Sequence, residues 1–360
     1  MKAPAALVRG LHSAWSKKGW ISTLLLPLSW IAAAAVARKR SRYANQPALT
    51  HHCAIPVVVV GNIYVGGTGK TPVVIALLQA LQARGWRPGV VSRGYGVKLG
   101  ERARTGQGEL AADRYGDEPA LIARATGVPV SVHPDRPEAA RRLQRDFPQV
   151  DIIVADDGLQ HLALGRDLEI LVQDGRGVGN GRMLPAGPLR EPADRLRYVD
   201  VIVTNLSAGQ PGPAPVDSPA RQVAMRLAPA AVERLVSGET LSWPDWLAEH
   251  GGEPAAAVAG IGRPERFFDM LRHHGLELSR ALSLEDHADY AESPFAGLTA
   301  PAILITGKDA VKCGRFQDPR LWVVHAEPRF SDPGWLDHVH DMLRMIARHK
   351  ASVAQRRRGD

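Results

Sequence analysis

Short apolar runs alternate with helix-like periodic segments along most of the chain. The clearest run is a block of four valines, and apolar runs of similar length recur after it. Such runs, bounded by turn residues, are typical of buried strands in a parallel sheet. The strands predicted in this way are Val57–Val60, Gly89–Ser92, Asp151–Ala155, Leu168–Gln173, Val199–Thr204, Ala255–Ile261, Ala302–Thr306 and Leu321–His325.

Segments with helical periodicity lie between these strands. Val73–Ala83 and Glu118–Ala125 carry apolar residues at helical spacing, and Gly334–His349 predicts a closing helix before a polar tail at Arg356–Arg358. Strands that alternate with helices predict an α/β fold, in which helices cover both faces of a parallel sheet.

The N-terminal segment has a different pattern. Gly19–Ala37 contains no charged residue, has Pro27 near its middle, and carries Trp20 and Trp30. Its length is near the lower limit for a membrane span, and a buried helix is a second alternative. We favour a helix pair or bent helix in the cytoplasmic leaflet, with the tryptophans near the headgroups. Basic residues flank the segment at Lys17, Lys18, Arg38, Lys39, Arg40 and Arg42.

Charge supports a membrane partner for this end of the chain. The net charge is +8, yet the first hundred residues hold thirteen Lys or Arg and no Asp or Glu. Such asymmetry predicts an anionic partner. The basic residues flank an apolar block without interleaved aromatics, which argues against nucleic acid and for anionic lipid. Two cysteines, Cys53 and Cys313, imply no disulfide framework and fit a reducing cytoplasm.

A glycine-rich turn follows the valine strand and precedes a helix. It reads Gly66, Gly67, Thr68, Gly69, Lys70, Thr71. Backbone amides and a helix N-terminus in this order predict a phosphate-binding loop. In that interpretation Lys70 reaches the β- and γ-phosphates of a nucleotide, and the Thr71 hydroxyl binds Mg²⁺. The alternative is an ordinary glycine turn.

The length of the chain predicts roughly two domains. Gly209–Pro219 is rich in Pro and Gly and predicts an exposed connection between them. We therefore predict an N-terminal membrane-associated helical segment at 1–45, a nucleotide-binding and catalytic lobe at 46–210, and a smaller α/β lobe at 220–360 that closes a cleft.

Two adjacent acids follow one of the predicted strands. In a phosphate-loop fold, an acid at the tip of a neighbouring strand binds Mg²⁺, so Asp156 or Asp157 is a candidate metal ligand. A solvated strand end is the alternative. Asp117 precedes a predicted helix and is either its cap or a base that accepts a proton from an attacking hydroxyl. Position alone does not decide between these two roles.

Several other residues are candidates for chemistry. His287, in an Asp–His pair, and His161 could relay a proton, although a surface histidine is the default interpretation. Arg190 could bind an anion and Glu191 could join the metal ligands, unless they form an exposed ion pair. Arg93 follows a strand, where loops face the ligand in open α/β sheets. Thr306–Asp309 resembles a purine-reading motif only loosely.

Together, these motifs resemble the tetraacyldisaccharide 4′-kinase family, the lipid A kinases of Gram-negative bacteria. The resemblance implies transfer of the γ-phosphoryl group of ATP to the 4′-hydroxyl of a tetraacyldisaccharide 1-phosphate. It implies that Asp117 is the base, assisted by His287, and that Asp156 or Asp157 completes the Mg²⁺ site with Glu191. The motifs are GNIYVGGTGKTP (61–72), SRGYG (92–96), GDEP (116–119), DDGLQH (156–161), GPLREP (187–192), DH (286–287) and TGKDAVK (306–312).

The resemblance predicts an enzyme that uses ATP and Mg²⁺ at the cytoplasmic face of the bacterial inner membrane. Its partners would be an anionic glycolipid and the lipid surface, with neither nucleic acid nor a protein partner required. One departure is Gly307, where the family often has glutamate. A membrane-bound nucleotide switch of the partitioning type is the alternative function, although Val65 replaces the lysine of that group. A structural membrane-associated protein with a relic nucleotide fold is the third.

Overall fold

In the part of the chain that the structure describes, thirteen strands form one continuous β-sheet. The structure is a computed structural model that describes Trp15, residues 18–285, Tyr290 and residues 292–359. The strands are β1 (Val57–Gly61), β2 (Pro88–Ser92), β3 (Arg104–Gly106), β4 (Val130–Val132), β5 (Ile152–Asp156), β6 (Leu168–Asp174), β7 (Val201–Leu206), β8 (Arg221–Arg234), β9 (Thr240–Ser242), β10 (Ala255–Ala259), β11 (Leu278–Ser283), β12 (Ile303–Thr306) and β13 (Leu321–Phe330).

The strand order is β11-β10-β12-β13-β8-β7-β6-β1-β5-β2-β4-β3, and β9 pairs with β8. Pairing is parallel except between β3 and β4, β8 and β9, and β8 and β13. The helices are α1 (Trp20–Leu24), α2 (Leu26–Asn45), α3 (Lys70–Ala83), α4 (Ala112–Tyr115), α5 (Asp117–Thr126), α6 (Arg136–Asp146), α7 (Trp243–His250), α8 (Pro264–His273), α9 (Gly307–Cys313) and α10 (Trp335–Gly359). The predicted α/β class is confirmed.

The valine run of β1 forms part of two hydrophobic cores. Val58 and Val60 pack with α3 on one face of the sheet, and Val57 and Val59 pack with α6 on the other. This follows from the alternation of side chains along a strand, which makes a strand covered on both faces apolar at every position. Because β1 lies between β5 and β6, their carboxyl ends meet at one edge.

The C-terminal helix α10 packs on the first lobe. Its Trp335, Val339 and Leu343 are buried in the same cluster as the α3 side chains. The Lys350 ammonium lies 2.7 Å from a carboxylate oxygen of Asp167, which precedes β6. The range 220–360 therefore includes a helix of the first core. Two further hydrophobic clusters lie around β10, β12 and β13, and we use the name second lobe for the part of the chain that forms them.

The uncharged N-terminal segment forms two helices, α1 and α2, with Leu25 between them and Pro27 in the first turn of α2. This agrees with the favoured helix pair. Within the described ranges, none of the helices combines the length and the apolarity that crossing a bilayer would require.

Candidate active site

The turn between β1 and α3 is shaped by its own hydrogen bonds. Gly66 and Gly69 have φ angles of 95° and 88°, which a residue with a Cβ atom rarely adopts. The Asn62 amide donates hydrogen bonds to the Gly66 carbonyl (3.3 Å) and to Thr68 Oγ1 (3.0 Å). Helix α3 begins at Lys70, so Lys70 and Thr71 stand at a helix N-terminus, where an anion is stabilised.

A residue on a distant strand supports this loop from the other side. Asn205, near the end of β7, donates a hydrogen bond of 3.1 Å to the Thr68 carbonyl. A Cβ atom on Gly69 would lie 1.9 Å from Asn205 Nδ2, so the close approach requires glycine. Arg266 of α8 donates to Asn205 Oδ1 at 2.7 Å. The phosphate loop is thus connected through Asn205 to the second lobe.

Asp156 ends β5 and is almost completely buried. Its Oδ2 atom accepts a hydrogen bond of 3.2 Å from Ser92 Oγ, whereas its Oδ1 atom is buried without a hydrogen-bond partner. Burial first, and the nearby Glu118 second, raise the pKa of the Asp156 carboxyl to about 7. A buried carboxylate oxygen without a partner is costly, and a bound cation would remove that cost.

Asp157 has a different environment although it is the next residue. Lys70 Nζ lies 3.5 Å from its Oδ1 atom, and Arg190 Nη1 lies 3.3 Å from its Oδ2 atom. Burial alone would raise the pKa of Asp157, but Lys70 and Arg190 outweigh burial and lower the pKa below its usual value. Asp157 is therefore ionised at neutral pH and faces the phosphate-loop lysine.

Arg190 and Glu191 are both engaged with neighbouring residues. The Arg190 guanidinium also donates to Asn62 Oδ1, which connects it to the phosphate loop. Glu191 Oε1 accepts a hydrogen bond of 2.6 Å from Gln160, and its Oε2 atom lies 3.4 Å from Arg195 Nε. Both Glu191 oxygens thus have partners, an arrangement that favours a structural role over its predicted metal role.

The residues around Asp156 fit a Mg²⁺ ion bound together with a nucleotide. Among the described residues, no three His, Cys, Asp or Glu side chains are grouped closely enough to hold a metal by themselves. Mg²⁺ in nucleotide sites needs only one or two carboxylates, because phosphates and water supply the other ligands. The unpartnered Asp156 oxygen, Asp157 and the Thr71 hydroxyl are the groups that would hold it.

Asp117 is the first residue of α5, and Gly116 occupies the cap position, so Asp117 is not the N-cap residue. Its Oδ2 atom lies 2.7 Å from Lys312 Nζ of α9, and both side chains are largely buried. The second lobe therefore contributes a cation beside the predicted base. His287 and Asp286 lie outside the described residues.

Three further candidates have clear environments. Arg93 is exposed in the loop after β2. Burial, with Arg136 and Lys39 nearby, lowers the pKa of His161 to about 4, so this imidazole is neutral at pH 7. Asp309 is buried, and it accepts hydrogen bonds from the Thr306 hydroxyl (2.6 Å) and the Gly260 amide (3.1 Å). The loose resemblance to a purine-reading motif is therefore better explained by helix capping.

The roles of Asn205, Arg266 and Lys312 were not predicted from the sequence. Each of them acts on a residue far away along the chain. Asn205 and Arg266 sit in segments without a recognisable motif, and Lys312 ends the TGKDAVK motif (306–312), which does not indicate its partner Asp117. The available signal for Asn205 is its position directly after the predicted strand Val199–Thr204; in the structure it is the next-to-last residue of β7.

The site combines a parallel sheet, a phosphate loop and the acid pair Asp156 and Asp157 beside that loop. These features define a nucleotide-binding protein of the phosphate-loop class and are typical of a kinase. The model of the family described as tetraacyldisaccharide-1-P 4′-kinase matches residues 21–344. The chain belongs to this family.

Individual relatives agree with this assignment. The chain is similar to the tetraacyldisaccharide 4′-kinase of Bordetella parapertussis, with 55% identity over 96% of this chain and 99% of the relative. A second kinase of that name, from a Janthinobacterium species, is 44% identical over 87% of this chain and 90% of its own length. A crystal structure of the Aquifex aeolicus family member in complex with ATP superposes with a TM-score of 0.75 at 25% identity, covering 90% of this chain and 99% of that one.

Proposed function

We propose that the protein transfers the γ-phosphoryl group of ATP to the 4′-hydroxyl of a tetraacyldisaccharide 1-phosphate and forms lipid IVA. The family membership and the names of its relatives support this reaction. The observation that carries it is the placement of Lys70 at the start of α3, 3.5 Å from Asp157 and beside the unpartnered Asp156 oxygen. The partitioning-type switch is not favoured, because the matching family model and the similar relatives described above are tetraacyldisaccharide 4′-kinases.

Each residue of the site has a distinct role in this reaction. The amides of Gly66–Thr71 and the Lys70 ammonium bind and orient the triphosphate. A bound Mg²⁺ ion would neutralise charge on the phosphates, and Thr71, Asp156 and Asp157 would hold it. Asp117 accepts the proton of the attacking hydroxyl, with His287 as its predicted assistant. Arg93 and Arg190 are proposed to bind the anionic substrate.

The acceptor lipid would reach the site from a membrane surface. Helices α1 and α2 expose large apolar side chains that soluble surfaces seldom group together: Trp20, Leu24, Trp30 and Ile31 are 77%, 72%, 66% and 67% exposed. Flanking basic residues suit an anionic headgroup layer. We place these helices in the cytoplasmic leaflet of the bacterial inner membrane, without a required protein or nucleic-acid partner.

Transfer of a label tests this function directly. The purified protein is incubated with Mg²⁺, ATP labelled at the γ-phosphate and the tetraacyldisaccharide 1-phosphate in mixed micelles. The label should appear on the 4′-oxygen of the lipid, and Asp117→Asn should abolish transfer while ATP still binds. ATP turnover that does not need the glycolipid, with no labelled lipid, would contradict the proposal.

A further inference from the structure

Two serines connect the N-terminal helices to a loop of the catalytic lobe. Ser22 Oγ in α1 donates a hydrogen bond of 2.5 Å to the Ala186 carbonyl, and Ser29 Oγ in α2 donates one of 2.7 Å to the Met183 carbonyl. The Ala186 amide donates back to Ser29 Oγ at 2.9 Å. We call this network, formed by Ser22, Ser29 and residues 180–187, the serine clasp.

The serine clasp is buried and closely packed. Ser22 and Ser29 are 1% and 4% exposed, although the same helices expose large apolar side chains elsewhere. Asn180 Nδ2 donates to Ser22 Oγ (3.0 Å) and to the Ala186 carbonyl (3.0 Å). A Cβ atom on Gly187 would lie 2.2 Å from Asn180 Oδ1, so the close packing at this position requires glycine. The helices are therefore joined to this loop by directed hydrogen bonds as well as by apolar contact.

The loop continues from the clasp straight into the active site. The Pro188 carbonyl accepts a hydrogen bond of 2.9 Å from the Val65 amide, and the Arg190 amide donates one of 2.6 Å to the Ile63 carbonyl. The Arg190 side chain then reaches Asp157 at 3.3 Å. Hydrogen bonds, together with the backbone of residues 186–190, thus connect the N-terminal helices to both the phosphate loop and the acid pair.

We propose that Ser22 and Ser29 are positioning residues, which hold Arg190 and the entrance of the phosphate loop at a fixed place relative to the lipid-facing helices. The inference rests on the proposed function, because it concerns an acceptor that arrives at the lipid surface. A misplacement of about 1 Å between reacting groups can lower a rate about a hundredfold. If the distance and orientation between the lipid surface and the phosphate loop are fixed, the hydroxyl of the acceptor lipid is aligned with the bound nucleotide.

The test compares the full-length protein with a Ser22→Ala, Ser29→Ala double variant. The vesicles contain phosphatidylethanolamine, phosphatidylglycerol and the tetraacyldisaccharide 1-phosphate, and both vesicle binding and turnover are measured over a range of lipid concentrations. We expect kcat at saturating lipid to fall by about tenfold or more, as for misplaced reacting groups. Affinity for a nonhydrolysable ATP analogue should stay within about twofold, because the variant retains every phosphate-loop contact.

The alternative is that the serines only attach the helices. That role predicts an unchanged kcat, with a higher lipid concentration for half-maximal turnover, and this result would overturn the proposal. Ser41→Ala is the matched control, since Ser41 lies on the exposed side of α2, outside the clasp. If the double variant unfolds, Ser29→Ala alone is judged by the same two criteria.

The outcomes separate this inference from the proposed function. A wild-type protein that phosphorylates no glycolipid contradicts the function, and the positioning role with it. An active wild-type protein together with a double variant of normal kcat contradicts the positioning role alone.

Discussion

The side chain of Asn205 donates a hydrogen bond to the backbone carbonyl of Thr68 and so joins the end of β7 to the phosphate loop. The same asparagine accepts a hydrogen bond from Arg266 of the second lobe. The shape of the phosphate loop therefore depends on two residues that lie far from it along the chain, Asn205 and Arg266. The glycines of the loop allow several backbone conformations, and the hydrogen bond from Asn205 stabilises one of them.

Asn205→Asp should weaken nucleotide binding without unfolding the protein. Aspartate keeps the size of the side chain but removes the donor to the Thr68 carbonyl. The loss of one buried hydrogen bond costs about 1–3 kcal/mol, which corresponds to a rise in Kd of about 5- to 150-fold. Calorimetric titration with a nonhydrolysable ATP analogue measures this change. Asn45→Asp, on an exposed helix surface, should leave Kd unaltered; equal affinities for both variants would show that Asn205 does not shape the loop.

Lys70→Ala should lower turnover by about a hundredfold or more, the effect expected when a group that stabilises transition-state charge is lost. The variant should fold, because Lys70 stands at the start of α3 and its main ionic partner is Asp157 at the surface of the site. Initial rates with saturating ATP and glycolipid measure the effect. Lys98→Ala removes an exposed lysine from a nearby loop and serves as the control. Near-normal turnover of a folded Lys70→Ala protein would refute the role of this lysine.

Short sequence patterns predicted those parts of the fold and the site whose conformation is determined by neighbouring residues in the chain. The four valines specify a buried central strand because every position of such a strand is covered, and the following glycines and Lys70 specify a loop and helix start. Strand β8 was not predicted. Its Arg221–Arg234 segment mixes charged and apolar residues, because it is only partly buried, and its pairing with β13 is determined by the tertiary structure.

The remaining features depend on contacts between distant residues. Helix α10 was expected in the second lobe by its place in the chain, yet Trp335 belongs to the core around α3. Ser22 and Ser29 lie seven residues apart in an apolar segment, one in α1 and the other in α2. That spacing was visible in the sequence, but the loop at 183–186 that accepts their hydrogen bonds was not.

Because of Asp156, the free energy of unfolding of the metal-free protein should decrease as pH rises. Burial raises the pKa of this carboxyl from 3.8 to about 7, so the folded state binds the proton more tightly than the unfolded state. At low pH the protonated Asp156 adds about 1.4 kcal/mol to the free energy of unfolding for each unit of pKa shift. This contribution is lost as the pH rises from about 4 to about 7. Urea unfolding at several pH values in EDTA measures this trend.

Asp156→Asn is the matched control for that experiment. It cannot ionise, so its free energy of unfolding should depend less on pH and should exceed that of the wild type at pH 8. Millimolar Mg²⁺ with an ATP analogue should stabilise the wild type more than this variant. The same pH dependence in both proteins would contradict the assignment.

His161→Gln should leave the pH dependence of kcat unchanged between pH 6 and pH 8. The pKa of His161 is lowered to about 4, by burial first and then by Arg136 and Lys39, so its imidazole stays neutral throughout this range. A group that stays neutral between pH 6 and pH 8 cannot cause a rising or falling limb in the plot of kcat against pH in that range. Rates measured at half-unit steps of pH test this. A limb that disappears in His161→Gln would instead identify His161 as a proton-transfer residue.

The most direct test of the whole account is a crystal structure with a nonhydrolysable ATP analogue and Mg²⁺. We expect the β- and γ-phosphates on the amides of Gly67–Thr71, Lys70 against the γ-phosphate, and the metal between Thr71 and the Asp156–Asp157 pair. A nucleotide bound away from this loop, or a metal that avoids both acids, would contradict the account.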